Sequence, residues 1–184
     1  IAFFKQALRS TILGNRFNVD TMLLGMYEEN DLRRQVYFHR ETDGRITFKG
    51  TYSGLNAAFS GFATDEIILV KAECLARAGE VDKALEALNY FLKHRIVQAT
   101  FEPLEIRTKE LLLHTILMER RKELFQRGVR WEDLRRFNKE PSHATILVRN
   151  IDGNRYELKP NDPRYTWPLP DVEITVGGLQ QNER

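Results

Sequence analysis

One helix of this chain carries an arginine where its leucines point. In KELLLHTILMERRKELFQR, Leu113, Leu117, Arg120 and Leu124 recur at i, i+4, i+7 and i+11, a single stripe on an α-helix. Thr108 is placed to cap this helix and Gly128 to end it. A guanidinium that enters a core must have its donors met by carboxylates. The sequence offers Glu123, one turn on, and Asp133 in the next helical stretch. There Trp131, Leu134 and Phe137 follow about a turn apart, with Arg130, Asp133 and Arg136 beside them. The eleven charged side chains between Glu119 and Asn138 therefore read as a salt-bridged structural corner, in which a short helix packs back on its predecessor through Trp131.

Two functional readings of that segment compete with the structural one. As a nucleic-acid patch it has eight basic residues between Glu119 and Lys139 and a tryptophan for stacking, but four carboxylates are interleaved. The chain as a whole has 28 basic and 26 acidic residues, a net charge of +2, so no global field would draw it to nucleic acid. As an acid/base pair, Glu119 and Glu123 are surrounded by Arg120, Arg121, Lys122 and Arg127, which favour both ionised forms and leave no proton donor. His39, His94, His114 and His143 show no metal-ligand spacing, and neither a phosphate loop nor a nucleophile elbow occurs. The expectation is a protein that is not an enzyme, with no metal and no cofactor. Cys74, alone among helix formers, reads as a buried inert thiol. No apolar run approaches the roughly 20 residues that span a bilayer. The chain starts at Ile1 without a signal peptide's features, and is read as a piece of something longer.

Along the chain, VDTMLLGMYEENDLRR has helical spacing after Asp20, and QVYFHRETDGRITFKG alternates around Thr42-Asp43-Gly44 as a β-hairpin does. TYSGLNAAFSGFA reads as loop. From Thr64 two helices follow, separated at Gly79. The first carries Ile67, Val70, Cys74 and Ala78 on one face, and the second carries Val81, Leu85, Leu88 and Leu92. Ala72, Ala76, Ala84 and Ala87 let two antiparallel helices approach closely, as in a tetratricopeptide unit. ATILVRNIDGNRYELKP is a second hairpin around Asp152-Gly153, and Pro160, Pro163, Pro168 and Pro170 predict an extended, wrapping tail. The fold class is mainly α: a tetratricopeptide-like helical hairpin plus further helices, with small β-hairpins and an extended C-terminal tail. The reading is of a single domain over residues 1–184, its helical core at about 64–138 and its hairpin and tail at about 143–184.

Three segments resemble one family. TDEIILVKAECLARAGEVDKALEALN is similar to a helix of the form E-x-x-L-x-x-A-E-x-x-A-R-x-G followed by a helix ending in L-N. ILMERRKELFQRGVRWEDLRR resembles E-R-R-x-E-L, a glycine, then R-W-x-D-L-x-R, and YTWPLPDVEITVGGLQQN resembles a closing P-[IL]-P, E-[IL], Q-N. ENDLRRQVYF matches an upstream D-x-R pattern. The family is SusD/RagB, the nutrient-binding surface lipoproteins of Bacteroidetes. Arg127 departs from the acidic residue many members place before the glycine, and the tail lacks an asparagine usual between E-[IL] and Q-N.

The resemblance implies the C-terminal region of a longer protein held at the outer-membrane surface by an N-terminal lipid anchor absent from these residues. It further implies binding of a glycan or other nutrient without catalysis, and a partner, a SusC-like TonB-dependent transporter. Under it, Arg120, Glu123, Arg130, Trp131, Asp133 and Arg136 form the structural motif. Sugar binding needs aromatic faces with polar neighbours, usually on loops. Tyr37, Phe38, Tyr52 and Phe59 are the candidates, while Trp131 and Trp167 read as structural. The alternative class is a generic helical-repeat module that binds another protein.

Overall fold

In the computed structural model, which describes residues 18–50 and 61–183, the first helical stretch is two helices. The α1 helix (Thr21–Leu24) starts at Asp20, whose side chain accepts from the Met22 amide at 2.8 Å, and it stops at Gly25. Asp31 repeats the signal: its carboxylate accepts from the Arg33 amide at 3.0 Å and opens α2 (Leu32–Tyr37). Spacing alone predicts one helix here. A capping aspartate needs extended backbone, which Asp31 has at ψ 111°, so the second cap breaks the run.

The hairpin that follows is β1 (Phe38–Arg40) paired antiparallel with β2 (Ile46–Phe48), in the register Phe38↔Phe48, His39↔Thr47 and Arg40↔Ile46. Gly44 turns it at φ 85°, as the sequence expects. Its predicted first residues, Gln35 to Tyr37, belong to α2 instead. Val19, Leu23, Tyr27, Tyr37 and Phe38 form a buried cluster, closed by Phe48 and Phe125. The rings meet edge to face, with Tyr27 and Phe38 centroids 5.2 Å apart and Phe48 and Phe125 also at 5.2 Å.

Next come α3 (Thr64–Arg77), α4 (Val81–Leu92) and α5 (Lys109–Glu123), with α3 packed on both others. Ala72, Ala76 and Ala84 are fully buried and Ala87 nearly so, as close helix approach requires. The predicted stripe on α3 is wrong in direction. Ile67 is 52% exposed, Val70 40% exposed, and Cys74 is exposed rather than a buried thiol. Leu69, Ala72, Glu73 and Ala76 face inward. Small side chains allow closer contact than branched ones, so the alanine face wins the interface. On α4, Asn89 fixes the connection to α5: its side chain accepts from the Leu104 amide at 2.8 Å and donates to the Leu104 carbonyl at 3.1 Å. The α5 helix ends at Glu123, ahead of the predicted stop at Gly128, and Thr108 holds its N-cap position without a side-chain capping bond.

The residues to Gly128 form one compact unit and those from Val129 a second. The second contains α6 (Arg130–Phe137), the antiparallel hairpin of β3 (Leu147–Ile151) and β4 (Asn154–Leu158), and α7 (Asp171–Thr175). Asp152 and Gly153 turn the hairpin with φ 51° and 77°, the positive pair that an Asp-Gly turn supplies. Trp131 anchors this unit: its Nε1 donates to the Tyr165 carbonyl at 3.1 Å, and its ring lies 4.8 Å from that of Tyr165. Trp167 lies 6.1 Å from Trp131 yet is 76% exposed. The tail is not wholly extended, since Pro163–Tyr165 forms a 3-10 turn and α7 follows Pro170. Pro168 and Pro170 have no amide proton, and the one between them, on Leu169, donates to Gln181 Oε1 at 2.8 Å. Gln181 Nε2 donates back to the Leu169 carbonyl at 3.1 Å, and Asn182 donates to the Trp167 carbonyl at 2.6 Å. The closing Q-N signature thus reads the backbone of the P-L-P segment.

Candidate functional site

At the centre of the first unit is a buried ion network. Arg33 clasps Asp31 with two bonds, Nε to Oδ1 at 2.9 Å and Nη2 to Oδ2 at 2.7 Å. It also donates to Glu119 at 2.7 Å and Glu123 at 3.3 Å. Arg95 clasps Glu123 at 2.9 and 2.8 Å and reaches Asp65 at 3.5 Å. Lys122 joins Asp31 at 2.9 Å to Glu119 at 2.8 Å. Aromatic faces enclose the cations: Arg33 lies 5.7 Å from the Tyr27 centroid, and Arg95 4.7 Å from that of Phe91. Tyr37 Oη donates to Glu123 at 3.3 Å, and Tyr27 Oη to the Lys122 carbonyl at 2.8 Å. Three cations meeting four carboxylates satisfy the demand that buried charge be paired and hydrogen-bonded.

The electrostatics follow. Burial alone would raise the Asp31 carboxyl, but hydrogen bonds from Arg33 and Lys122 outweigh it and hold the group below its usual range. Burial would likewise lower Arg33 and Arg95, and their carboxylate partners raise both instead. Burial pushes the Tyr27 phenol up. Glu119 and Glu123 are each ion-paired with buried cations.

Of the residues expected in the structural motif, Glu123 is in this network, and Arg120 lies 3.8 Å from Glu66, a partner not foreseen. Arg127 shares Glu66 at 3.3 Å and donates to the Gly61 carbonyl at 2.7 Å. In the second unit Asp133 and Arg136 pair at 3.3 Å within α6, which begins at Arg130. Sequence reading placed Lys122 beside Glu119 and Glu123 but missed Arg95 and Asp65, and did not join Asp31 and Arg33 to these carboxylates. The available signal was the D-x-R at Asp31 and Arg33 together with carboxylates one turn apart on α5.

The network also orients α2. Arg33 and Tyr37, one turn apart, point into the core, and Arg34 and Gln35 on the other side face solvent. They border a groove of about 450 Å³. Its apolar lining comes from Leu24, Phe38 and Ile46, and its polar lining from Glu29, Arg34, Gln35, His39 and Arg40. Its volume falls within the range of small-ligand sites, and more of its lining residues are polar than apolar. Among the described residues, no group of three or more His, Cys, Asp or Glu is arranged to hold a metal ion.

Of the expected aromatic platforms, Tyr37 and Phe38 are each 6% exposed. Their rings meet each other edge to face at 6.3 Å, so they serve the core and offer no free face, although Phe38 lines the groove. Tyr52 and Phe59 lie outside the described residues.

The chain is mainly helical, and its D-x-R and E-R-R-x-E-L residues Asp31, Arg33, Glu119, Lys122 and Glu123 meet in one buried ion network. Residues 49–184 match the SusD family, and the chain belongs to it. It is 32% identical over 147 residues to the SusD-like protein P38 of Formosa agariphila, which covers 77% of this chain and 26% of that protein. Its fold is similar to that of a SusD-like carbohydrate binding protein from Bacteroides vulgatus, with a TM-score of 0.58 and 22% identity, over 86% of this chain and 40% of that one. A SusD-like protein from Bacteroides fragilis matches at a TM-score of 0.46 and 29% identity, over 64% of this chain and 24% of that one. The chain spans about a quarter of the length of the Formosa relative.

Proposed function

We propose that the protein is a glycan-binding component of a nutrient-uptake system at the surface of a bacterial outer membrane. It binds without catalysis, is held by a lipid anchor outside these residues, and delivers its ligand to a SusC-like TonB-dependent transporter. The observation that carries this reading is the family match over residues 49–184. The commitment of Glu119 and Glu123 to buried cations supports binding over glycoside hydrolysis, which needs one carboxyl free to give up a proton. The test is to purify the full-length protein from its membranes, identify its N-terminal modification and co-purifying chains by mass spectrometry, and titrate it with a glycan panel. A lipidated terminus, a large β-barrel partner, and heat or saturation with intact glycan recovered afterwards are expected. A soluble, unlipidated protein that binds no glycan and captures another soluble protein would replace this reading with a helical-repeat interaction module, whose support is the exposure of Ile67 and Val70 on α3.

A further inference from the structure

We propose that the groove beside α2 takes the anionic group of a charged saccharide, a uronate carboxylate or a sulfate ester. The inference rests on the glycan-binding reading above and names the class of glycan. It starts from two guanidiniums. Arg33, Arg95 and Arg164 each hold a carboxylate within this molecule. Arg34 and Arg40 line the groove, and among the described residues neither guanidinium is hydrogen-bonded or ion-paired. Both are exposed.

Their backbone supports are tied to the rest of the unit by hydrogen bonds. Arg34 follows Arg33, whose bonds to Asp31, Glu119 and Glu123 fix that turn of α2. Arg40 sits on β1 opposite Ile46, and Ile46 is held in turn by Asn18 and Val19. Lys49 ties the end of the hairpin to α2 by donating to the Gln35 carbonyl at 2.6 Å. Two planar forks on fixed elements at one groove suit an anion with two or three equivalent oxygens, because each fork can donate two parallel bonds. Among the described residues Glu29 is the one carboxylate on the lining, so cationic heads outnumber it, and it can accept from a sugar hydroxyl. Leu24 and Ile46, both only partly buried, supply carbon beside which a sugar ring can lie.

The experiment uses the full-length protein and matched oligosaccharides in neutral, uronate-containing and sulfated forms, with carboxyl-reduced and desulfated versions to tell the two anions apart. Binding is measured by calorimetry. At least one anionic form is expected to bind, and Arg34→Ala and Arg40→Ala each to weaken it about tenfold or more, the loss of a charged hydrogen bond. Arg155→Ala, an exposed arginine on β4, is expected to leave affinity unchanged. Both groove side chains are exposed, and an unchanged unfolding midpoint in each variant verifies that the fold is retained. A neutral glycan that binds equally to wild type and both variants overturns the proposal and leaves the glycan-binding reading standing. So does an anionic glycan whose affinity neither substitution moves. If no saccharide of any charge binds, the glycan-binding reading falls and the proposal falls with it.

Discussion

Glu123 carries more of this molecule than any other single carboxylate on α5. It is 1% exposed and holds Arg95 by two bonds, Arg33 by one and the Tyr37 hydroxyl by another. Removing one partner of a buried pair leaves the other charge uncompensated, at about 3–5 kcal/mol. Urea unfolding of Glu123→Ala is expected to show a loss of that order. Glu132→Ala, which breaks an exposed pair with Arg135, is expected to stay within about 0.5 kcal/mol of wild type. Asp31 adds a pH dependence. Its folded pKa lies below the ordinary 3.8, so the unfolded chain takes up the proton first. The stability it contributes is fully present above the unfolded pKa and is lost as pH falls through the folded one. Unfolding midpoints between about pH 6 and about pH 2 are expected to fall less steeply for Asp31→Asn than for wild type. Reading Arg120 as a charge entering a core is sound in kind, yet the partners lie elsewhere. Arg33 and Arg95 reach Glu123 from 90 and 28 residues away. Periodicity says which side chains of one helix point inward and is silent about which side chains of other helices meet them.

At the scale of elements, α3 shows why a stripe can be read backwards. Its sequence holds two inward-facing possibilities, one of larger side chains with Ile67 and Val70, the other of Leu69, Ala72 and Ala76. Counting hydrophobic size favours the first, while close packing of α3 on its neighbours selects the second. If the alanine face is the tight one, Ala76→Leu forces overpacking and is expected to destabilise by about 1–3 kcal/mol. Ile67→Ser, on the exposed face, is expected to change stability by about 0.5 kcal/mol or less. A reversed order of these two effects in chemical unfolding would return the interface to the branched residues. The hairpins are legible because Asp-Gly chemistry is local: Gly44 and Gly153 take the positive φ their turns need. The break between α1 and α2 is equally local, but it rests on a second aspartate cap inside a stretch whose hydrophobic spacing runs on across it.

For the whole molecule, three short signatures announce the family, and the structure gives two of them a physical role. The E-R-R-x-E-L segment builds the ion network, and the closing Q-N holds the tail. The groove is not legible in the sequence, because four consecutive elements, α1, α2, β1 and β2, each give it one or a few residues, and local patterning does not say how they fold against one another. Sequence reasoning names Tyr37 and Phe38, whose side chains face the core, and passes over Arg34 and Arg40, which line the groove beside them. A chain with 28 basic and 26 acidic residues thus divides its charge into two kinds, one sealed among carboxylates and aromatic rings and one open to solvent. Salt separates them. Ions screen exposed charges over about 10 Å at about 0.1 M, whereas a desolvated cluster excludes them. Raising sodium chloride from about 0.05 M to about 0.5 M is therefore expected to leave the unfolding free energy within about 0.5 kcal/mol and to weaken anionic-glycan binding several-fold. A stability that falls steeply over the same range would mean that salt reaches the network, and that Arg33, Arg95 and Lys122 are held less firmly than their contacts imply.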